Sequence, residues 1–170
     1  SGKTTVLKCL ATLLKPSAGT VTADGAEVWG SRRVFRAKFG YVPQDDIVHP
    51  ALTVRQALTY AGRLRLDAAT PTDMLERRVE SVAKLLGLDE RLRLRIGRLS
   101  GGQRKRVNIG VELVADPDIL VLDEPSSGLD PGTEGDLVKL LKRLADGGRT
   151  VVLTTHSMEY LDEYDSIALL

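Results

Sequence analysis

Two adjacent carboxylates and one histidine each follow a short apolar run. Asp123 and Glu124 come after ILVL, and His156 ends the stretch TVVLTTH. Such runs predict strands covered on both faces, and open α/β sheets bind ligands at the carboxyl edge of their strands. A magnesium–phosphate site needs a carboxylate to hold the metal and a base that orients or deprotonates water. Asp123 suits the first role and Glu124 the second, with His156 at the same edge. The alternative is that the two acids only end a strand and that the histidine is structural.

The first five residues, SGKTT, match the end of the phosphate-binding pattern G-x-x-x-x-G-K-[ST]. Gly2, Lys3 and Thr4 would be its last three positions. The first glycine of the pattern would lie upstream of Ser1, so we expect the chain to be a fragment of a longer domain. Taken alone the match is weak, because a glycine turn before a helix gives the same letters.

A second glycine pair lies in the stretch LSGGQ. Ser100 and Gln103 fit the S-x-x-Q capping box, which predicts that a helix begins at Gly101 and Gly102. Backbone N–H groups at such a helix start, together with the helix dipole, favour an anion. Because this turn is far from Lys3 along the chain, we expect it to meet a different phosphate.

Alternating helices and apolar strands must position these residues. Helices are predicted over 4–14, 53–65 with Thr53 as N-cap, 72–86, from the glycines of LSGGQ onward, and from Pro131 to 147. Strands are predicted at FGYVPQ, ILVL, TVVLTTH and SIALL, with a short hairpin around Asp24-Gly25. The predicted fold class is α/β, with a mainly parallel sheet and an inserted α-helical subdomain. We assign 1–48 and 113–170 to the α/β core and 49–112 to the helical subdomain.

Composition is that of one globular domain. The chain has 170 residues, of which 42% are apolar and 28% charged, and its net charge of +1 predicts no general affinity for nucleic acid. Seven basic residues and no acidic one lie over 91–106, which is either a solvated face or a field that attracts phosphate. Cys9 is the only cysteine, so no internal disulfide can form. No signal peptide or membrane-spanning apolar run is visible in the sequence.

Five motifs, GKTT, YVPQDD, LSGGQRKR, ILVLDEPSSGLD and TTHS, occur in that order. Their order and spacing resemble those of the ATP-binding cassette (ABC) ATPases over essentially the whole chain. The resemblance implies a P-loop NTPase core with an inserted helical subdomain, ATP as substrate, Mg²⁺ as cofactor and ATP hydrolysis as the activity. It also implies the nucleotide-binding residues, which are Ser1, Gly2, Lys3, Thr4, Thr5, Gln44, Asp123, Ser100, Gly101, Gly102 and Gln103.

The resemblance further implies the role of each of these residues. Lys3 would neutralise the β- and γ-phosphates. The metal ligands would be Thr4, Gln44 and Asp123, and Gln44 would also touch the attacking water. Glu124 would be the catalytic base and His156 the switch histidine, while Ser127–Asp130 match the D-loop of the family. The missing upstream half of the phosphate loop leads us to expect weak ATP binding by this chain alone.

In this family the LSGGQ turn contacts the ATP held by a second, head-to-tail ATPase domain, which is therefore an implied partner.

The stretches GYVPQDD, LTVRQAL and SGGQRKRVNIGVEL look most like G-type exporters and their bacterial relatives with ABC-2-type membrane domains. That likeness implies a transmembrane permease in the same or another chain, export as the transport direction, and a location at the cytoplasmic face of a membrane.

Two other classes are weighed against the transporter. One is a soluble ABC ATPase of translation or DNA repair; the short stretch between Gln44 and Leu99, which lacks sustained heptads, argues against chromosome-type members with a coiled coil. The other is a binding module that has lost hydrolysis, against which Glu124 and His156 both argue.

Overall fold

The computed structural model describes residues 2–169, without the side chains of Arg33 and Val34. Its helices are α1 (Lys3–Leu10), α2 (Arg32–Lys38), α3 (Val54–Arg65), α4 (Thr72–Leu85), α5 (Gly101–Leu113) and α6 (Pro131–Asp146). Its strands are β1 (Thr22–Ala23), β2 (Ala26–Glu27), β3 (Phe39–Val42), β4 (Ile119–Leu122) and β5 (Thr150–Leu153). Short 3₁₀ turns lie at Asp89–Arg91, Ile96–Arg98 and Leu161–Glu163.

The central sheet is parallel, with β4 between β3 and β5. Its register pairs Val42 with Leu122 and Leu122 with Leu153, so the three strands end level with one another. The predicted α/β fold with a parallel sheet is therefore confirmed. The register has a functional consequence, because the residues that follow the three strands come together at one edge.

The apolar run of β4 is explained by packing on both of its faces. Val121 points into a cluster with Leu7 of α1 and with Ala11 just after it, whereas Leu120 and Leu122 point into a larger cluster formed mainly by the helices α3 to α6. This alternation follows the two-residue period of a strand. Because β4 is packed on both faces, the position of the residues that follow it, Asp123 and Glu124, is fixed relative to the sheet.

The α3–α5 region is attached to the sheet by polar contacts as well as by packing. Thr53 caps α3 in a capping box with Gln56, as the sequence predicts for the start of this helix. Arg65 at the end of α3 forms an ion pair with Glu112 of α5 and donates to the carbonyl of Phe39 at 3.0 Å. Helix α5 is thereby tied to both α3 and β3. The assignment of 49–112 to a separate helical subdomain stays a prediction.

Two local predictions are wrong. The first helix ends at Leu10 rather than at residue 14, and Thr12 just beyond it has a left-handed φ of +63°. The stretch SIALL forms no strand over 166–169, and its last residue lies outside the described part. Ile167 and Leu169 are 55% and 88% exposed, and among residues 2–169 β5 pairs only with β4. An apolar run without a neighbouring strand has no partner for its backbone groups.

An apolar groove of about 550 Å³ runs along β5 and is lined by residues of α1, α6 and β5 and of the segment 154–169 that follows β5. None of the helices within 2–169 has both the length and the apolar character needed to cross a membrane.

Candidate functional site

The edge at which β3, β4 and β5 end carries the polar residues that the sequence analysis singled out. The backbone N–H of Asp123 donates to the carbonyl of Val42 at 2.9 Å, and that of Thr154 donates to the carbonyl of Leu122 at 3.0 Å. The parallel ladder therefore continues one residue past each strand. It brings the turns that contain Gln44, Asp123 and His156 side by side.

Glu124 is held between Gln44 and His156. Its Oε1 lies 2.6 Å from Nε2 of His156, and its Oε2 accepts a hydrogen bond from Nε2 of Gln44 at 3.1 Å. Glu124 has a left-handed φ of +46°, which is unusual for a residue with a side chain. Three residues that are distant in sequence thus converge on one carboxylate at the sheet edge.

Asp123 is the buried member of the carboxylate pair, with 3% of its surface exposed. Its Oδ1 accepts a hydrogen bond from Oγ1 of Thr154 at 2.8 Å. Burial and then the negative charge of Asp123 raise the pKa of the neighbouring Tyr41 phenol above its usual value. The same charge favours a cation at this place.

The donor set fits Mg²⁺ better than a metal that needs a complete protein cage. Within the described residues there is no cluster of three or more His, Cys, Asp or Glu side chains that could hold a metal ion. The carboxylate of Asp123, the amide oxygen of Gln44 and the hydroxyl of Thr4 are hard oxygen donors. Mg²⁺ is bound in proteins by one or two carboxylates together with waters and substrate phosphates, so it suits such a set.

The start of α1 is the candidate phosphate site. Gly2 is its N-cap and provides no side-chain cap, so the N–H groups of the first turn are left without intrahelical acceptors. Lys3 is one of the residues that line the apolar groove along β5, as are Thr154 and Ser157. The predicted ligands Thr4 and Thr5 lie in this first turn, whereas Ser1 lies outside the described residues.

The LSGGQ turn has the predicted capping box. Oγ of Ser100 accepts from the backbone N–H of Gln103 at 3.3 Å, and Oε1 of Gln103 accepts from the N–H of Ser100 at 3.1 Å. A Cβ added to Gly102 would lie 2.2 Å from Cγ2 of Thr133, so this glycine permits the close approach of α5 to α6. Gly101, between Ser100 and Gly102, is the first residue of α5. In residues 2–169 no hydrogen bond or ion pair joins this turn to α1.

The loop after β3 is fastened to α5 by a set of contacts that sequence reasoning missed. Asn108, 1% exposed, donates to Oδ1 of Asp46 at 2.7 Å and accepts from the N–H of Ile47 at 2.9 Å. Arg104 reaches Oδ2 of Asp46 at 3.3 Å, and Nζ of Lys105 donates to the carbonyl oxygen of Gln44. An asparagine within a helix that packs in the core is the sequence signal for such a contact, because its amide must be satisfied there.

Replacement of Asn108 by leucine is expected to loosen this loop. The change removes both amide contacts and leaves the N–H of Ile47 without its acceptor, which costs about 1–3 kcal/mol of unfolding free energy. Denaturant unfolding would measure the loss, and hydrogen exchange of residues 44–48 would locate it. Arg106→Gln is the control, because Arg106 lies on the same helix but bonds to Leu86. Unchanged exchange of residues 44–48 in the leucine variant would show that Asn108 does not hold the loop.

Comparison with known proteins identifies relatives of the chain. The family model described as ABC transporter matches residues 1–127. The ABC transporter ATP-binding/permease protein Rv1747 of Mycobacterium tuberculosis is 43% identical over all of this chain and 20% of its own length. The broad substrate specificity ATP-binding cassette transporter ABCG2 of Rattus norvegicus is 39% identical over 99% of this chain and 27% of its own length. ABC transporter G family member 21 of Arabidopsis thaliana is 45% identical over 92% of this chain and 24% of its own length.

The chain thus spans about a quarter or less of the length of these relatives.

Solved structures have the same fold. The ATP-binding cassette MJ0796, in a dimeric post-hydrolysis state bound to ADP and Pi, matches 92% of this chain and 71% of its own with a TM-score of 0.77 and 29% identity. CbiO1 of Clostridium perfringens, part of the ABC transporter complex CbiONQ, matches 94% of this chain and 64% of its own with a TM-score of 0.83 and 31% identity. On these matches, and with the predicted likeness to G-type transporters confirmed by the relatives, the chain belongs to the ABC transporter family.

Proposed function

We propose that this chain binds and hydrolyses ATP and that its cycle drives transport of a substrate across a membrane. The single observation that carries the proposal is the placement of Glu124, held by Gln44 and His156 beside the buried Asp123 at one sheet edge. A positioned carboxylate next to a metal-binding aspartate is what hydrolysis of a phosphoanhydride requires.

The phosphates bind at the start of α1. The N–H groups of the first turn and the positive end of the helix dipole attract them, and Lys3 adds a full positive charge that neutralises the β- and γ-phosphates. Thr5 reaches the α-phosphate. Lys3 and Thr154 line the same groove, which supports a γ-phosphate site between α1 and the end of β5.

Thr4, Gln44 and Asp123 hold Mg²⁺, which when bound neutralises charge that develops on the phosphates. Glu124 takes the proton of the attacking water. Both of its oxygens already accept one contact, from Gln44 and from His156, and each oxygen has a further lone pair for the water. Gln44 and His156 therefore fix the direction in which Glu124 faces the γ-phosphate.

The LSGGQ turn, which contains Ser100, completes the site of a second ATPase domain. Ser100 is exposed at the start of α5, where a second domain can approach it, which supports a contact made in trans. ATP then binds two domains together, and its hydrolysis releases them. The dimeric state of the related cassette MJ0796 with ADP and Pi is consistent with this arrangement.

The membrane partner is a permease, in the same or another chain, with the ATPase at the cytoplasmic face and export as the direction. The transporter names of the relatives support a membrane transporter, and they do not favour a soluble ABC ATPase of translation or DNA repair. The likeness of the motifs to G-type exporters is the reason for proposing export and the cytoplasmic face. The near-neutral net charge gives no reason to expect nucleic acid as a partner.

The proposed activity is tested by phosphate release from ATP in the full-length protein, with Mg²⁺ and with EDTA. Lys3→Ala is expected to weaken ATP binding about 10- to 100-fold, since it removes charge-assisted hydrogen bonds to phosphate. Lys8→Ala on the same helix is the control, because Lys8 lies in the last turn, away from the N-terminus. Equal ATP affinity of both variants, or phosphate release that EDTA leaves unchanged, would contradict the proposal.

A further inference from the structure

We propose that Thr154 is a positioning residue that fixes Asp123 and Glu124 relative to each other. The inference rests on the proposed function and adds a residue to it. Neither the apolar pattern of β5 nor the motif TTHS assigns a role to this side chain.

The hydroxyl of Thr154 joins the two carboxylate residues directly. Oγ1 accepts a hydrogen bond from the backbone N–H of Glu124 at 3.0 Å and donates its own proton to Oδ1 of Asp123 at 2.8 Å. Thr154 is 8% exposed, so water does not readily replace either contact. A hydroxyl has one proton, and the bond accepted from Glu124 leaves that proton for Asp123.

The contact with Glu124 matters because of the local backbone. Glu124 has a φ of +46°, where a side chain is unfavourable, and it stands just after the last ladder contact, made by the N–H of Asp123. Without Thr154 the N–H of Glu124 would lose its acceptor at this partly buried position. The hydroxyl thus stabilises the turn from which the Glu124 side chain reaches Gln44 and His156.

The contact with Asp123 matters for the metal. The hydrogen bond from Thr154 to Oδ1 restricts the rotation of the Asp123 carboxylate, which is the predicted metal ligand. The end of β5 thereby holds the pair at three points, since Thr154 contacts the Asp123 carboxylate and the Glu124 backbone while His156 contacts the Glu124 carboxylate. A displacement of this strand end would move both carboxylates together.

The chain offers a matched control in the adjacent residue. The hydroxyl of Thr155 accepts from the N–H of Ser157 at 3.0 Å and contacts neither carboxylate residue. The same substitution at the two neighbouring threonines therefore separates the proposed role from a general effect on the strand end.

The test compares Thr154→Val, Thr154→Ser and Thr155→Val in the full-length protein. Thr154→Val is expected to lower kcat about 10- to 100-fold with little change in the KM for ATP, because a buried hydrogen bond to a charged group is lost. The concentration of Mg²⁺ that half-saturates hydrolysis should rise several-fold. Thr154→Ser should restore both values to near wild type, and Thr155→Val should leave them unchanged.

A readout that needs no turnover is binding of Mn²⁺ with ATP, followed by electron paramagnetic resonance. Thr154→Val should weaken Mn²⁺ binding several-fold, and Thr155→Val should not. If Thr154→Val fails to fold, Thr154→Ala serves as the variant without a hydroxyl. Wild-type kcat and Mn²⁺ affinity in the hydroxyl-free variant, or equal loss in Thr154→Ser, would overturn the inference.

Failure of the inference can be told from failure of the proposed function. If Glu124→Gln stops hydrolysis while Thr154→Val behaves as wild type, only the role of Thr154 is wrong. If the wild-type protein does not hydrolyse ATP, or Glu124→Gln hydrolyses it at the wild-type rate, the proposed function fails and the inference fails with it.

Discussion

Replacement of Glu124 by glutamine is expected to lower ATP hydrolysis by about 10²–10⁴-fold, which is the usual contribution of a positioned general base. The amide has nearly the volume of the carboxylate and its single oxygen can still accept from Gln44 or His156, but it cannot take a proton from water. ATP binding should persist, because the phosphates are held by Lys3 and the first turn of α1. The variant should therefore retain ATP and accumulate as a closed dimer.

Two measurements on the full-length protein check this result. Phosphate release gives the loss of turnover, and size-exclusion chromatography with Mg²⁺ and radiolabelled ATP gives the retained nucleotide and the dimer. Glu159→Gln is a suitable control, because it makes the same chemical change three residues after His156 on an exposed side chain. Turnover by Glu124→Gln at the wild-type rate would remove Glu124 from the mechanism.

The sequence predicts those parts of the molecule that depend on local signals. The capping residues Thr53 and Ser100 and the proline at the first position of α6 each mark a helix start that the structure contains. The apolar runs of β4 and β5 predict buried strands; β4 is buried, whereas β5 is only half-buried. Their parallel register brings Asp123 and His156 to one edge. Local chemistry and one rule about parallel sheets were sufficient for this much.

The wrong predictions are those in which tertiary context decides. The apolar letters of SIALL suit a strand, but a strand needs hydrogen-bonding neighbours, and residues 166–169 have none in the described part of the chain. The early end of α1 at Leu10 likewise depends on the turn through Thr12. No helix-breaking residue at this turn predicts it from the sequence.

The missed site contacts join residues that are far apart in the chain. The bond between Asn108 and Asp46 spans 62 positions, and that between Thr154 and Asp123 spans 31. The direction of each of these bonds depends on side-chain rotamers. The bond from the N–H of Glu124 to Thr154 depends in addition on the left-handed backbone at Glu124. A residue pattern gives the strand end on which such a group lies, but not the atom that it will contact.

Replacement of Ser100 by arginine is the second change with a large expected effect. The side chain of Ser100 is exposed at the start of α5, where the proposed second domain presents its nucleotide. A long charged side chain there would prevent the close approach of the two domains. Driving an open pair almost fully to the closed state takes roughly 5.5 kcal/mol of differential binding, so a steric block at the contact should abolish hydrolysis.

Loss of the cap must be separated from the steric effect. Ser100 accepts from the N–H of Gln103, and removal of such a cap costs about 0.5–2 kcal/mol of helix stability. Ser100→Ala loses the cap without adding bulk, so it should keep more activity than Ser100→Arg. ATP affinity of the isolated Ser100→Arg monomer should be nearly that of the wild type, because Lys3 and α1 are intact; a large loss of affinity would place Ser100 in the site of its own chain.

A mixture of two impaired variants, assayed at an ATP concentration too low to saturate Lys3→Ala, tests the contact in trans most directly. In a dimer of Ser100→Arg with Lys3→Ala, one site combines the intact Lys3 of the first subunit with the intact Ser100 of the second. The other site carries both substitutions. If the turn acts in trans, mixing should restore part of the phosphate release, whereas a turn that serves its own chain would leave every site damaged and the mixture inactive.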